Sequence, residues 1–175
     1  MQIQLDKIGP DGLDVDQKLQ STWINEVLGA EAPFAATGPG SLNLHLSRAG
    51  DVVYLCGRLD IQVSAKCARC LEAVELGMDV PLEVALFPRG DEPEAAIDGE
   101  ISADDMGVAL YDNMEINLAG VIRDEIYLEL PMSALCSEDC AGLCTHCGVN
   151  LNADPCQCPK AIDMRWSALK DISIN

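Results

Sequence analysis

The residues of this 175-residue sequence whose types and spacing could do chemistry are its nine cysteines, six of which stand close together. Those six lie in the segment Leu135–Pro159, which reads LCSEDCAGLCTHCGVNLNADPCQCP. Its few apolar side chains are separated by Gly, Asn, Asp and Pro, so burial of apolar surface cannot order it. Such a segment needs a cross-link, either a disulfide framework or a thiolate-bound metal.

The compartment decides between these cross-links. The first 15 residues lack the charged region and the apolar run of a secretory signal. No stretch approaches the roughly 20 apolar residues that a membrane span needs. We therefore expect a cytoplasmic protein without a membrane span, whose thiols stay reduced, and an odd number of cysteines also fits disulfides poorly. Clustered cysteines in that setting predict zinc.

The spacing of the cysteines predicts one zinc site and allows a second. Two residues between thiols, as in CTHC and CARC, let both sulfurs face one tetrahedral ion at about 2.3 Å. A site with four thiolate ligands has no open position for water, so each metal would be structural. The first predicted site, a small zinc ribbon, consists of Cys144, Cys147, Cys156 and Cys158, and the second consists of Cys67, Cys70, Cys136 and Cys140.

Other interpretations of these cysteines remain. A CxxC pair can be a redox dithiol, and the CxC spacing of Cys156 and Cys158 is a less usual chelate than CxxC. Cys56 lies away from any pair, and its place in an apolar run predicts a small buried side chain.

Hydrophobic periodicity indicates which elements position the cysteines. Alternation of apolar and polar residues predicts strands at Ser41–Ser47, Asp51–Ala65 and Glu72–Leu86. The last two flank CARC and predict a hairpin with the cysteines at its tip. Gly57 suggests a bulge in one of these strands, and Pro81 suggests an edge or a bend in the other.

The remaining elements complete the predicted fold. Two amphipathic helices are predicted, one over Gln17–Leu28 and one over Asn117–Leu130 with Asn117 as its N-cap. Short strands are predicted near the N-terminus, before Asp16, and over Val108–Ile116. The fold class is α+β: an antiparallel sheet or partly closed barrel with a covering helix and a C-terminal zinc-ribbon-like segment.

Composition divides the chain into two parts. Residues 1–134 are the predicted body, with an acidic loop at 88–106. Residues 135–175 are the predicted cysteine-rich tail, which ends in a short helix over Ala161–Ile174.

The net charge of −18 is concentrated in one part of the chain. Leu71–Leu130 carries 16 acidic residues against Arg89 and Arg123 alone. Such a surface repels phosphate and suits a basic protein partner, although acidic surfaces also serve solubility alone.

Several separate motifs agree in order and spacing with one family. CARC between two strands is followed by INLAGVIRDEIYLELPM, the cysteine-rich segment and DMRWSALKDI. From Ser41 to Asn175 the sequence resembles the YceD-like proteins, the bacterial large ribosomal RNA subunit accumulation family. The resemblance implies a cytoplasmic, non-enzymatic factor needed for normal accumulation of large-subunit ribosomal RNA. In this family the gene commonly neighbours that of a small zinc-containing large-subunit ribosomal protein.

Three classes of function are open to such a sequence. Catalysis is disfavoured, because the only histidines are His45 on a strand and His146 inside CTHC, and no P-loop, GxGxxG or HExxH motif appears. A binding module that engages a large-subunit ribosomal protein or assembly intermediate, without a small-molecule substrate, is the leading hypothesis. A direct RNA contact would fall to the basic residues near the ribbon: Arg69, Lys160, Arg165 and Lys170. The third class is a thiol/zinc redox-responsive regulatory protein.

Overall fold

A computed structural model of the protein describes residues 1–90 and 107–158. Its centre is a six-stranded sheet built on one long antiparallel hairpin, β5 (Val52–Lys66) and β6 (Ala73–Pro88). The order across the sheet is β2-β4-β5-β6-β7, with β3 paired beside β5. All pairs are antiparallel except β6 with β7. The other four strands are β2 (Leu13–Leu19), β3 (Phe34–Ala36), β4 (Gly40–Ala49) and β7 (Gly107–Tyr111).

A small second sheet, a short 3-10 helix (Leu5–Lys7) and two α-helices complete the described chain. The second sheet pairs β1 (Gln2–Gln4) with β8 (Glu115–Asn117). The helices are α1 (Ser21–Leu28) and α2 (Leu118–Glu129). The α+β class is confirmed, and the strands of residues 1–90 and 107–158 form open sheets that do not close into a barrel.

Alternating burial explains the main strands. In β4 the side chains of Leu42, Leu44 and Leu46 are buried, while those between them are exposed. Strand β6 repeats the pattern from Met78 to Val84. Because successive side chains of a strand point to opposite faces, one face of the sheet is apolar and the other polar. The hairpin with CARC at its tip is confirmed, with Lys66 opposite Ala73 as the last pair.

Helix α2 covers the apolar face, as the sequence predicts. Its buried residues are Leu118, Val121, Ile122 and Ile126, which lie on one side of the helix. The Asn117 side chain accepts a hydrogen bond from the Gly120 N–H at 3.3 Å and so caps the first turn. Helix α2 packs on β6, and it also contacts α1.

Two predicted elements have different bounds in the structure. The first helix begins at Ser21 rather than Gln17, because Leu13–Leu19 pairs with β4 as strand β2. Pairing with a neighbouring strand outweighs the weak helical pattern there. The predicted strand over Val108–Ile116 is two strands, β7 and β8, separated by a turn in which Asn113 and Met114 have positive φ.

Strand β5 corrects two predictions. Its register with β4 and β6 runs through Gly57 without an extra residue, so no bulge forms. Gly57 instead permits a close approach, because an added Cβ would collide with the Asn43 carbonyl oxygen and lie 2.9 Å from the Leu44 Cα. The prediction that Cys56 is buried is also wrong: its side chain lies on the exposed face.

The expectation for Pro81 is confirmed. Pro81 faces Arg58 of β5, and β7 joins the other side of β6 only from Val84 onward, so β6 is an edge at the proline. Most of the predicted acidic loop and the whole predicted C-terminal helix lie outside the described residues.

Candidate metal centres

The structure brings the eight clustered cysteines together as two tetrads. The first tetrad is Cys67, Cys70, Cys136 and Cys140, and the second is Cys144, Cys147, Cys156 and Cys158. In each tetrad all four sulfur atoms lie within 4.8 Å of one another. All nine cysteines are free thiols. These are the two groups that the sequence predicts as ligand sets.

The first tetrad joins the hairpin tip to the segment after α2. The distance from Cys67 Sγ to Cys140 Sγ is 3.8 Å, and from Cys70 Sγ to Cys136 Sγ it is 3.6 Å. Three of the four side chains are buried, Cys136 being exposed. The Ala68 N–H also donates to the Ala134 carbonyl at 2.8 Å. The first tetrad therefore closes a long loop of chain through its side chains and its backbone.

The second tetrad lies entirely within the tail and is more open to solvent. The Cys144 and Cys156 sulfurs are 3.3 Å apart. Of its four cysteines only Cys144 is buried, and Cys147 is exposed. The turn between the CTHC thiols closes through the Gly148 N–H, which donates to the Cys144 carbonyl at 2.9 Å, and Gly148 has φ 74°. Glycine adopts this left-handed conformation without steric cost.

Backbone N–H groups point at cysteine sulfurs in both tetrads. The Arg69 and Cys136 N–H groups each donate to Cys67 Sγ at 3.4 Å, and the His146 N–H donates to Cys144 Sγ at 3.4 Å. Donors of this kind stabilise a thiolate and orient it toward a metal.

Within each tetrad the pKa values of the thiols shift in opposite directions. Backbone donors lower some of them, and neighbouring thiols and burial raise others. The Cys70 N–H is the largest cause that lowers the pKa of Cys67 to about 6, against the effect of burial. The Cys147 and His146 N–H groups lower the pKa of Cys144 to about 6. In contrast, Cys158 has a pKa that is raised to about 12 by its hydrogen bond with Cys147 and by its burial.

The same contrast holds for Cys70. The Glu72 N–H lowers the pKa of this thiol, but burial and hydrogen bonds with the neighbouring thiols outweigh it and raise the pKa to about 12. Four sulfurs this close repel one another as thiolates, so without a cation some of them keep their protons. A bound dication removes that conflict and deprotonates its thiol ligands.

The donor set and its spacing fit a metal ion. Four thiolates placed tetrahedrally about 2.3 Å from zinc stand about 3.8 Å from one another, which is close to the sulfur separations of the first tetrad. Each tetrad can therefore hold a metal ion through its four cysteines alone.

Polar side chains that the sequence argument did not single out connect the two tetrads. Asn152 belongs to the loop of the second tetrad, yet its Nδ2 donates to Cys140 Sγ of the first at 3.3 Å. This hydrogen bond is the largest cause that lowers the pKa of Cys140. The only signal in the sequence is the repeated asparagine of Asn150-Leu-Asn152, a residue type that often bonds its own backbone in turns.

Arg69, which the sequence offered as an RNA contact, has a structural role here. Its Nη1 donates to the carbonyl oxygens of Glu138 and Cys140, both at 3.0 Å. The Arg69 carbonyl also accepts from the Leu143 N–H at 3.1 Å. Arg69 thus ties the hairpin tip to the tail. The other three proposed contacts, Lys160, Arg165 and Lys170, lie outside the described residues.

One set of side chains on the exposed sheet face resembles a catalytic triad in type. Asp14, His45 and Cys56 lie opposite one another on β2, β4 and β5. His45 Nδ1 bonds Asp14 Oδ1 at 2.6 Å, but its Nε2 lies against Gly12, on the side away from β5. Within the described residues no hydrogen bond joins His45 to Cys56, so the imidazole is not placed to activate this thiol.

Comparison with known proteins assigns the family. The profile described as "Large ribosomal RNA subunit accumulation protein YceD" matches residues 55–173. The chain belongs to the YceD family. The matched range contains both tetrads, α2 and all but the first three residues of the β5–β6 hairpin. The family's description names an accumulation protein rather than an enzyme.

Individual relatives agree with this assignment. The chain is 33% identical over 131 residues to an uncharacterized protein of Mycobacterium tuberculosis, covering 75% of this chain and 60% of that protein. It is 28% identical over 156 residues to a maize protein, covering 77% of this chain and 53% of the relative. The maize protein is named large ribosomal RNA subunit accumulation protein YCED homolog 1, chloroplastic.

The chain thus spans between half and two thirds of the length of these curated relatives. No solved structure matches it significantly. In residues 1–90 and 107–158, no helix has the length and apolar character needed to cross a membrane.

Proposed function

We propose that this protein is a cytoplasmic, non-enzymatic ribosome-biogenesis factor that supports the accumulation of large-subunit ribosomal RNA by binding a basic large-subunit ribosomal protein or an assembly intermediate that contains one. The family match carries the ribosomal role. The mechanism of binding rests on the charge of the sheet face opposite α2, whose side chains are exposed in the part of the chain that the structure describes.

That face carries more acidic than basic residues. Across β2, β4, β5 and β6 its exposed charged side chains are Asp14, Asp16, Lys18, Arg58, Asp60, Lys66, Glu75, Asp79 and Glu83. Asp60 and Asp79 stand directly opposite each other, an arrangement that costs stability in an antiparallel pair. Arg58 pairs with Asp79 at 3.3 Å, and among the described residues Asp60 has no ion pair. Uncompensated carboxylates on an exposed sheet favour a basic ligand.

In this proposal the two tetrads hold structural zinc. Thiolate-only ligands with CxxC spacing favour zinc, and a closed tetrahedral set leaves no position for a substrate. The zinc ions would give the tail a fixed shape and attach it to the hairpin tip through Cys67 and Cys70. The zinc ions would act only by holding the thiolates in place. The acidic face would bind the partner.

The experiment that tests this role compares charge reversals on two surfaces. In cells depleted of the native protein, the D60K/D79K double variant should fail to restore the ratio of large-subunit to small-subunit ribosomal RNA. The D124K/E129K double variant changes the net charge equally on exposed positions of α2 and should restore it. Equal rescue by both variants would contradict a role for the sheet face, and an unchanged ratio on depletion would contradict the ribosomal role.

A matched binding measurement separates protein from RNA as the ligand. Immobilised native protein should retain basic proteins extracted from large subunits, with retention falling as salt rises and weaker in D60K/D79K. Protein-free large-subunit RNA should not be retained. Salt-sensitive retention of the RNA that is lost in the K160E/R165E variant would favour direct RNA contact instead.

The redox alternative has one observation in its favour. Cys67 and Cys144 have pKa values of about 6, and thiolates formed near neutral pH are the reactive form of cysteine. If the protein is a redox-responsive regulator, mild peroxide should release zinc at concentrations that leave the sheet folded. Retention of the metal under those conditions would contradict this second function.

A further inference from the structure

Asn152 is the one side chain of the second tetrad's loop that reaches a sulfur atom of the first tetrad. It lies between Cys147 and Cys156 in the chain, and its Nδ2 donates to Cys140 Sγ at 3.3 Å. Hydrogen bonds to a metal-ligating sulfur orient the ligand and tune its affinity. Asn152 is thus placed to act on the first tetrad from within the second.

The orientation of the Asn152 amide is set by its other partners. Its Oδ1 accepts from the Ala141 N–H at 2.8 Å, which leaves the nitrogen facing the sulfur. Asn150 Oδ1 accepts from both the backbone N–H and the Nδ2 of Asn152, at 3.0 and 2.9 Å. Reversing the amide would break the bond that its Oδ1 accepts and the bond that its Nδ2 donates to Asn150, so the donor faces Cys140.

The cysteines of the second tetrad lie at both ends of the loop that carries these asparagines. The loop joins the CxxC pair of the second tetrad to its CxC pair. Two backbone hydrogen bonds hold it: the Leu151 N–H donates to the Gly142 carbonyl at 2.9 Å, and the Cys144 N–H donates to the Val149 carbonyl at 2.8 Å. Asn150 Nδ2 also donates to Glu72 Oε1 at 2.7 Å, next to the hairpin tip. A metal that closes the second tetrad fixes both ends of this loop.

We propose that Asn152 is a positioning residue that couples the two metal sites, so that a metal bound by the second tetrad raises the affinity of the first. This inference rests on the proposed function in one respect, that both tetrads bind zinc. By linkage, a metal in the first tetrad must raise the affinity of the second by the same factor.

The first test counts zinc ions per chain by native mass spectrometry during titration of the metal-free protein. Independent sites of equal affinity give about half of the chains one ion at half-saturation, and independent sites of unequal affinity give more. Coupling lowers this population relative to a protein that lacks it, with more chains carrying either no ion or two. A one-ion population in the native protein that is not below that of N152D would overturn the proposal.

The second test changes the donor while keeping the acceptor. In N152D one carboxylate oxygen can still accept from the Ala141 N–H, but the other faces Cys140 Sγ without a proton to donate. We expect the zinc affinity of the first tetrad, measured by chelator competition, to fall about tenfold, and the one-ion population to rise. The matched control is N43D, the same substitution at an exposed position of β4, which should leave both unchanged.

A mutant cycle separates coupling from a purely local effect. C156S/C158S disables the second tetrad and leaves one site to measure. If Asn152 acts through the loop, N152D should weaken the first tetrad only when the second is intact and should have little further effect in C156S/C158S. An equal effect of N152D in both backgrounds would overturn the coupling.

The same measurements distinguish this failure from failure of the proposed zinc sites. If native protein binds no zinc, the proposed metal sites are wrong and the coupling is wrong with them. Two zinc ions bound without any dependence on Asn152 would keep the sites and reject the coupling. Circular dichroism of every variant would show whether the sheet is intact, so that a folding defect is not mistaken for lost affinity.

Discussion

The sheet body and the cysteine-rich segment after α2 bury different kinds of side chain. Strands β4, β5 and β6 bury leucine and valine side chains, including Leu42, Leu55, Leu59 and Leu82 at 0% exposure. Between residues 135 and 158 the buried side chains are Cys140 and Cys144. Apolar burial can therefore stabilise the body, but the tail has too little of it and depends on its sulfur ligands.

The two tetrads differ from each other in the same sense. The first packs its buried Cys67 and Cys70 against Val74, Leu135 and Leu143, so it shares in apolar packing. The second has one buried, two half-buried and one exposed cysteine. A site at the edge of a hydrophobic core is protected from solvent, whereas a site in a loop relies on the metal itself.

The largest expected effect comes from removing the zinc that we propose for the two tetrads. With a strong chelator, residues 135–158 should become disordered while β4, β5 and β6 stay folded. One structural zinc site supplies on the order of 10 kcal/mol of apparent binding free energy. Hydrogen exchange followed by mass spectrometry should show fast exchange of the tail and continued protection of β5. Simultaneous loss of protection in both regions would mean that the body also depends on the metal.

Acidification should act on the same region. Zinc binds thiolates, so protons compete with the metal and occupancy falls as the pH is lowered. We expect elemental analysis after dialysis to show zinc lost at acid pH, with the far-ultraviolet circular dichroism of the sheet retained. Full zinc content at a pH where the sheet has already unfolded would contradict this order.

A pair of glycine substitutions tests the body without touching the tail. Gly57→Ala should destabilise the protein by about 3 kcal/mol, because the added Cβ meets the backbone of β4. Gly77→Ala is the matched control on the neighbouring strand: nothing lies within 4 Å of its Cβ, so we expect a change of about 0.5 kcal/mol or less. Chemical denaturation should separate the two, and similar losses would show that Gly57 is not a packing requirement.

The comparison between the tetrads can be sharpened by alkylation of the zinc-loaded protein. Cys147 is exposed and Cys156 and Cys158 are half-buried, so the second tetrad should release its metal and react several-fold faster than Cys67 and Cys140. Cys56 is exposed and belongs to neither tetrad, so it serves as an internal reference for unhindered reaction. Peptide mapping by mass spectrometry gives the order, and earlier labelling of Cys67 would reverse the assignment of stability to the two sites.

The smallest expected effect lies on α2. Burial, with the charge of Asp124 as a second cause, raises the pKa of Glu125. When folding raises the pKa of a carboxyl, the folded protein loses stability as the pH rises from the unfolded pKa of that carboxyl through its folded pKa. E125Q should therefore be slightly more stable than the native protein at neutral pH and not at acid pH.

The control for that measurement is E129Q, an exposed position of the same helix. Melting temperatures across the pH range should show no advantage for E129Q. An advantage of E125Q that persists at acid pH would mean that glutamine packs better, independent of charge.

The strand pattern and the helix face were readable from the sequence because they are local. Alternation in Ser41–Ser47 and the helical spacing of Leu118, Val121, Ile122 and Ile126 each follow from the geometry of one element. The position of CARC at a hairpin tip followed from two alternating runs of similar length. The division of eight cysteines into two sets also came from spacing, and the structure places each set together.

What only the tertiary structure decided depends on contacts between distant residues. Pairing with β4 made Leu13–Leu19 a strand. The close approach of β4 to β5 leaves no room for a Cβ at Gly57. Cys56 falls on the solvent face because the register of three strands places it there, beside His45. Arg69 and Asn152 bond across the fold to groups more than ten residues away. Spacing along the chain carries no information about such partners, because hydrogen bonds between loops depend on where the folded elements bring them.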